Sequence, residues 1–449
     1  MDFSQIPSVS YVLEEIKKSN FSVPHDLCVL ISQKEIERAR KIIKKGENIS
    51  KEKILENIKT KLNFYDKSAL KRVINATGII VHTNLGRSPL NELIAKKIVE
   101  TATNYSNLEY DLLNNKRGKR DSLIRDILIA LTGAEDATVV NNNAAAVYIT
   151  LNTLANKKEV LISRSELIEI GGSFRIPDVI ASSGAILREV GTTNKTHLRD
   201  YESNINELTG VIMKAHQSNF YQEGFVESVE IDKLSDLAKR RKILLYEDLG
   251  SGCLVDLRKY GLSYEPTVQD SIRKGVDIVS FSGDKLLGAG QCGIILGRNE
   301  LIEKIRKNPL MRVLRVDKMT LCALEGTLRL YLDKRHEEIP VYKILAKNVD
   351  EMRSDANRII NNVKNDNLML KILESDGRLG GGSTPKSSFK TIGVGLIHKK
   401  LSTKEIEVFL ARRTVPIVGR VLDEYYFLDM KTVCGDDIEF ILNALNEML

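Results

Sequence analysis

Cysteine is scarce. The five present, Cys28, Cys253, Cys292, Cys322 and Cys434, lie far apart and form no Cys-x-x-Cys pair. This argues against a disulfide framework or zinc ribbon and fits reduced thiols in a reducing compartment. Histidine numbers only six, with no His-Glu-x-x-His or other metal-spaced cluster, so no metal centre is expected. No apolar run approaches the roughly 18 residues that span a bilayer. The opening MDFSQIPSVS lacks the charged and apolar regions of a secretory signal. Internal repeats and low-complexity segments are also missing. The expectation is a soluble, cytoplasmic protein with no membrane partner.

What is present is a 449-residue chain of ordinary globular composition with a net charge of +7, compatible with an anionic partner. Three regions are expected. Residues 1–70 read as short helices, from apolar spacing in VLEEIKK and KEIERARKIIKK. Up to Arg72 there are 15 Lys or Arg against 10 Asp or Glu. Charge alone fits a solvated helical face, yet a basic helical module ahead of a large domain is a reasonable nucleic-acid dock. Residues 71–335 alternate short apolar runs with helical stretches: ATVV, EVLIS, GVIMKAH, KILLYED and VDIVSFSG. That pattern predicts an α/β fold with a mainly parallel central sheet covered on both faces. The stretch from LEGTLRLYLDK to RIINNVK reads as one or two long helices. Residues 336–449 read as a smaller α/β domain, with GRLGGGSTPKSS as a flexible loop inside it.

In open α/β sheets ligands bind at the carboxyl ends of strands, and the polar clusters here follow such ends. Asn142, Asn143 and Ala144, in NNNAAA, open a helix whose free N–H groups suit a phosphate; an ordinary Asn N-cap is the competing reading. His216, Ser218 and Asn219 follow another strand. Asp248 lies in YEDLGSG, and Ser282, Asp284 and Lys285 in SFSGDKLLG. A phosphate cradle, an Asn, an Asp and a Lys in that order match the layout of fold-type-I pyridoxal phosphate enzymes. There Lys285 would form a Schiff base through a neutral amine. Asp248 would keep the pyridine nitrogen protonated. Asn219 would bond the phenolic oxygen, and helix N–H groups with serine hydroxyls would hold the phosphate.

Several longer stretches carry a closer likeness. RVINATGIIVHTNLGRSPL, YSNLEYDL, VVNNNAAAV, GGSFRIPDV, GAILREVGTTNKT, SNFYQEGF and SFSGDKLLG together resemble the bacterial selenocysteine synthases, the L-seryl-tRNA(Sec) selenium transferases. The resemblance covers nearly the whole chain. It implies a helical tRNA-docking domain, a pyridoxal phosphate domain carrying Lys285, and a C-terminal domain. It also implies conversion of seryl-tRNA(Sec) to selenocysteinyl-tRNA(Sec): β-elimination of water to an aminoacrylyl intermediate, then addition of selenium from selenophosphate. Lys285 is the implied proton shuttle; Asp284 either assists it or merely orients the turn. Arg312 and Arg315, in MRVLRVDK, resemble the family's anion-binding pair and are expected on one helix face. Arg87 resembles a third arginine of that pocket, with a salt bridge as the alternative. By the same resemblance the chain is expected to form a homo-oligomer, a decameric ring of dimers.

The roles of Arg117, Arg120 and Arg420 stay open. The family usually reads Gly-Gly-Pro-Gln-Ala-Gly after the lysine, where this chain has GAGQCG; a looser turn and a buried small-residue swap at Cys292 are the expected consequences. Two other readings compete. One is a lyase of the same superfamily acting on a free amino acid or amino-sugar acid, against which the basic N-terminal module speaks. The other is a tRNA-binding protein without catalysis, against which Asn219, Asp248 and Lys285 together speak.

Overall fold

The computed structural model describes residues 3–19, 21–65, 69–172, 174–217 and 220–448, apart from the side chains of 383–387. The chain divides into two compact units, Met1–Val73 and Ile74–Leu449.

The first unit is helical: α1 (Val9–Lys17), α2 (His25–Lys44) and α3 (Lys51–Tyr65). Ser8 caps α1 by accepting from the Tyr11 amide. Each helix turns one apolar stripe inward, so that Val12, Ile16, Ile31, Ile36, Ile54, Ile58 and Leu62 share a core. The buried Glu35 carboxylate is met by Lys61 across α2 and α3.

The second unit is built on a seven-stranded sheet. Its short opening strands are β1 (Ile74–Asn75) and β2 (Ile79–Val81). The main strands follow as β3 (Asp136–Val140), β4 (Glu159–Ser163), β5 (Ile186–Val190), β6 (Thr209–Ala215), β7 (Leu244–Gly250), β8 (Ile278–Ser282) and β9 (Gly293–Gly297). The spatial order is β3-β9-β8-β7-β6-β4-β5. Strand β9 runs antiparallel to both neighbours, and the other pairs are parallel. Alternate residues of a strand feed two separate cores. Val279 and Phe281 enter one, and Ile278 enters the other. Burial on both faces explains why the inner strands read as continuous apolar runs, while the edge strand β5 is largely exposed. Strand β9 is as buried as β8; it follows β8 without an intervening helix, so the strand–helix alternation does not point to it.

A second sheet contains β10 (Leu368–Gly380), β11 (Ser383–His398), β13 (Arg420–Leu422) and β14 (Tyr425–Asp429), in the order β13-β14-β11-β10-β2; the short β12 (Ile417–Val418) pairs with β1. Two expectations are corrected here. The GRLGGGSTPKSS stretch is the tip of the long β10–β11 hairpin, turning at Gly381 and Gly382, with Gly380 opposite Ser383. The proposed one or two long helices are three: Lys318–Leu332, Pro340–Ala346 and Val349–Asn362. Pro340 cannot sit inside a helix but is tolerated at its start. Asn348 and Glu351 form a capping box that begins the third. The sheet also recruits β2 from early in the chain, beside β10, a pairing that local pattern does not reveal.

Candidate active site

The carboxyl ends of β3, β6, β7 and β8 gather the chemistry. After β3, the helix Asn143–Leu154 begins under an Asn142 cap whose Oδ1 accepts from the Ala145 amide at 2.8 Å. The first-turn amides of Asn143 and Ala144 have no acceptor within the helix. Strand β9 passes tightly beneath: a Cβ on Gly293 would lie 2.1 Å from the Asn142 carbonyl oxygen, so only glycine fits. The N-cap reading and the cradle reading of Asn142 are therefore compatible, since the cap occupies one amide and leaves two.

Asp248, near the end of β7, is buried. Its Oδ1 accepts from Asn143 Nδ2 at 2.8 Å and from the Gly250 amide at 3.1 Å. Burial raises its carboxyl above the usual range, opposed by Asn143 and by the charge of Lys285. A cationic nitrogen brought against it would restore the ionised form. His216 donates its backbone N–H to the Asp248 carbonyl at 2.9 Å. Its Nε2 stands 3.9 Å from Glu265, and its buried Nδ1 has no partner among the described residues. Asn219 and Ser218 lie outside the described residues.

Lys285 sits in the turn after β8, just 7% exposed, between the buried Ser282 and a run of glycines. Burial first, and then the Arg87 charge, push its amine below the ordinary lysine range, against the pull of Asp248 and Asp284. A buried amine that loses its proton easily is a nucleophile. Asp284 is not free to act alone: both its carboxylate oxygens accept from Arg87 Nη1, and its carbonyl accepts from the Ser88 amide at 3.2 Å. Arg87 forms this salt bridge through Nη1, a contact compatible with the anion-binding reading.

The other arginines fall differently. Arg312 lies in a four-residue helix, Met311–Leu314, but Arg315 is extended beyond its end (φ −69°, ψ 145°). The expectation of one shared helix face is corrected: the Leu314 carbonyl is taken by the Asn141 amide, which ends the helix and ties this segment to the cradle. Arg312 and Arg315 are both exposed, with Arg315 at 3.6 Å from Glu109. Arg120 is engaged by Glu109 and the Val316 carbonyl, and Arg117 reaches Glu109 at 3.6 Å. Arg420 bonds the buried Asp429 at 3.2 Å and Ser375 at 2.9 Å, a structural role within the second sheet. Cys292 is buried, and its Sγ occupies the space a Cβ on Gly283 would need. Burial pushes its thiol well up, so Cys292 fills space and is not a thiolate.

The set fits a phosphorylated aldehyde with a basic ring nitrogen. The buried amine of Lys285 could take the aldehyde, the buried Asp248 carboxylate the nitrogen, and the helix amides the phosphate. Asn143 Oδ1, His216 Nδ1 and Ser251 Oγ are buried without a partner among the described residues, which fits polar groups that a ligand would satisfy. Sequence reasoning missed Asn143 Nδ2 as the orienter of Asp248 and Glu265 beside His216, since both contacts join distant segments.

Comparison with known proteins agrees. A family model described as "SelA: L-seryl-tRNA selenium transferase" matches residues 73–434. An L-seryl-tRNA(Sec) selenium transferase of Aquifex aeolicus is 47% identical over 447 residues, covering 99% of this chain and 98% of the relative. One of Alkaliphilus metalliredigens is 45% identical, covering 98% and 97%. Among solved structures, a D-glucosaminate-6-phosphate ammonia-lyase superposes with a TM-score of 0.61 at 21% identity, covering 86% of this chain and 97% of that one; this likeness is of fold. The chain belongs to the L-seryl-tRNA selenium transferase family.

Proposed function

We propose that this chain converts seryl-tRNA(Sec) to selenocysteinyl-tRNA(Sec), with pyridoxal phosphate as cofactor and selenophosphate as selenium donor. Family membership supports the reaction, and one observation carries the assignment of its centre: Lys285 is buried beside Asp248 and Asp284 at the strand ends. Lys285, Asp248, His216, Ser282, Asn219 and the amides of Asn143 and Ala144 would hold the cofactor. When bound, pyridoxal phosphate supplies an electron sink for the charge left at the seryl α-carbon.

The chain's own groups do the rest. Lys285 Nζ takes the α-proton and returns it to the β-hydroxyl, which departs as water. Asp248 holds a positive charge on the ring side. Asp284, fixed by Arg87, stands one residue from the amine and offsets its ammonium form. Arg312 and Arg315, with Arg87, would bind the selenium donor's phosphate. The helical first unit would dock tRNA, and the protein would act in the cytoplasm as a ring of dimers, as inferred from the family resemblance. Among the described residues no helix is long and apolar enough to cross a membrane.

The test is incubation of the pyridoxal phosphate-loaded protein with seryl-tRNA(Sec) and selenophosphate, followed by ester hydrolysis and amino-acid analysis. Selenocysteine is expected. Recovery of serine alone, from protein that holds its cofactor, would overturn the proposal.

A further inference from the structure

The turn carrying Lys285 is held from behind by a tyrosine. The Gly288 amide bonds the Lys285 carbonyl at 3.1 Å, and the Leu286 amide bonds Ser251 at 3.0 Å. The carbonyls of Leu286 and Leu287, both fully buried residues, need partners of their own. They meet the Tyr331 hydroxyl, at 3.3 Å from Leu286 and 3.0 Å from Leu287. The Tyr342 hydroxyl lies 3.2 Å from that of Tyr331. A phenol has one proton to give. The Tyr331 hydroxyl is the donor in all three contacts, so its one proton is shared between the turn carbonyls and the Tyr342 oxygen. Burial raises both phenols above their usual range and keeps them protonated.

The rings are locked in place. Tyr331 and Tyr342 meet edge to face at 6.2 Å, and Tyr260 stacks on Tyr342 at 5.9 Å. Ile339 closes the same side: a Cβ on Gly288 would come within 2.3 Å of Ile339 Cγ2, and the Gly288 φ is +75°. Residues 331–342 thus press on the lysine turn at three points: two carbonyls and one glycine.

We propose that Tyr331 is a positioning residue for the lysine chemistry. Its hydroxyl fixes the Leu286 and Leu287 carbonyls and so aims Lys285 Nζ. The inference rests on the reading of Lys285 as the cofactor lysine. In that role the amine must leave the cofactor when substrate arrives and return to the same place afterwards. A turn flanked by Gly283 and Gly288 has little stiffness of its own, and Tyr331 supplies it.

The test compares full-length wild type with Tyr331→Phe, Tyr342→Phe and Tyr260→Phe. Each protein is stripped of pyridoxal phosphate, and the rate at which added cofactor restores the visible absorption band is measured. Thermal melting, kcat and the KM for seryl-tRNA are measured alongside. Tyr331→Phe is expected to slow reconstitution and lower kcat by about ten- to a hundredfold, as for a small misplacement of a reacting group, with KM unchanged. Tyr342→Phe keeps its ring and removes the competing acceptor of the Tyr331 proton, so it should match or exceed wild-type rates. Tyr260→Phe keeps its ring and loses a hydroxyl that has no partner among the described residues, so it should behave as wild type. Wild-type rates in Tyr331→Phe would overturn the proposal, as would equal losses in Tyr260→Phe, which would mean packing alone. Should Tyr331→Phe fail to fold, Tyr342→Phe decides by the same readouts: rates at or above wild type support the proposal and a slowing overturns it. If wild type itself develops no band, the reading of Lys285 fails instead.

Discussion

One nitrogen of Arg87, Nη1, donates to both carboxylate oxygens of Asp284, at 2.9 and 2.8 Å, one residue before the buried Lys285. Arg87 reaches it from a left-handed backbone conformation, φ 63°, which non-glycine residues adopt sparingly. The pair therefore sets the charge beside the amine: Arg87 lowers the lysine's proton affinity and Asp284 raises it.

Replacing Arg87 by Ala leaves the Asp284 carboxylate nearly buried and unpaired. Stability should fall by about 1–3 kcal/mol, the cost of an unsatisfied buried group, read as a drop in Tm. The pairing is partly open to solvent on the arginine side, so the full cost of a buried ion pair is not expected. Arg87→Lys should recover part of the loss, since it keeps the charge with a different donor geometry. Equal melting of Arg87→Ala and wild type would remove the pair from the account of the site.

Asp248→Asn keeps the shape of the side chain and removes its charge. Cofactor should remain bound through Lys285 and the helix amides. Turnover should fall by about two to three orders of magnitude, in line with the loss of a single electrostatic stabiliser at a reacting centre. Single-turnover rates on cofactor-saturated protein check this, and a loss under threefold would contradict the role.

Much of this was legible in the sequence, for identifiable reasons. Strands buried on both faces leave apolar runs, and polar residues directly after them mark the ligand-binding edge. Lys285, Asp248 and the Asn142–Ala144 segment could be singled out on that basis. Pairings across the chain could not be: Arg87 and Asp284 are 197 positions apart, and Tyr331 meets the lysine turn from a different helix. The hairpin tip at Gly381 and Gly382 reads as a loop because its glycines and serines carry turn composition, while its strands continue through them by pairing. Arg312 and Arg315 were placed on one helix because i, i+3 spacing is helical; a tertiary hydrogen bond to Leu314 ends that helix first.

Lys431 offers a pH test of stability. Its Nζ donates to the carbonyls of Leu345 and Lys347, at 3.0 and 2.6 Å. Burial, then the Lys347 charge, push its pKa down to about 8. The unfolded chain holds that proton up to about 10.4, so between these values the unfolded state binds more protons than the folded one. Stability from this group therefore rises as pH rises through that window and is lost as pH falls through about 8. Denaturant titrations of wild type and Lys431→Met from pH 7 to 10.5 should show wild type gaining on the variant above about pH 8. A difference that stays constant across the range would contradict the buried-amine reading.

Deletion of residues 1–73 tests the docking role of the first unit, which is compact with a core of its own. The remaining protein should retain cofactor and lose binding of seryl-tRNA(Sec). Binding by the full chain should weaken steeply with salt, because phosphate contacts release counterions. Undiminished tRNA affinity after the deletion, with a changed assembly state on gel filtration, would assign these helices to subunit contacts instead.

Central to the account is that the amine of Lys285 is the group that takes the cofactor. Borohydride reduction of the pyridoxal phosphate-loaded protein, followed by peptide mass mapping, tests this most directly. The expected result is one phosphopyridoxyl mark, on Lys285, that disappears in Lys285→Ala together with turnover of seryl-tRNA(Sec). A mark on another lysine, or full turnover by Lys285→Ala, would contradict it.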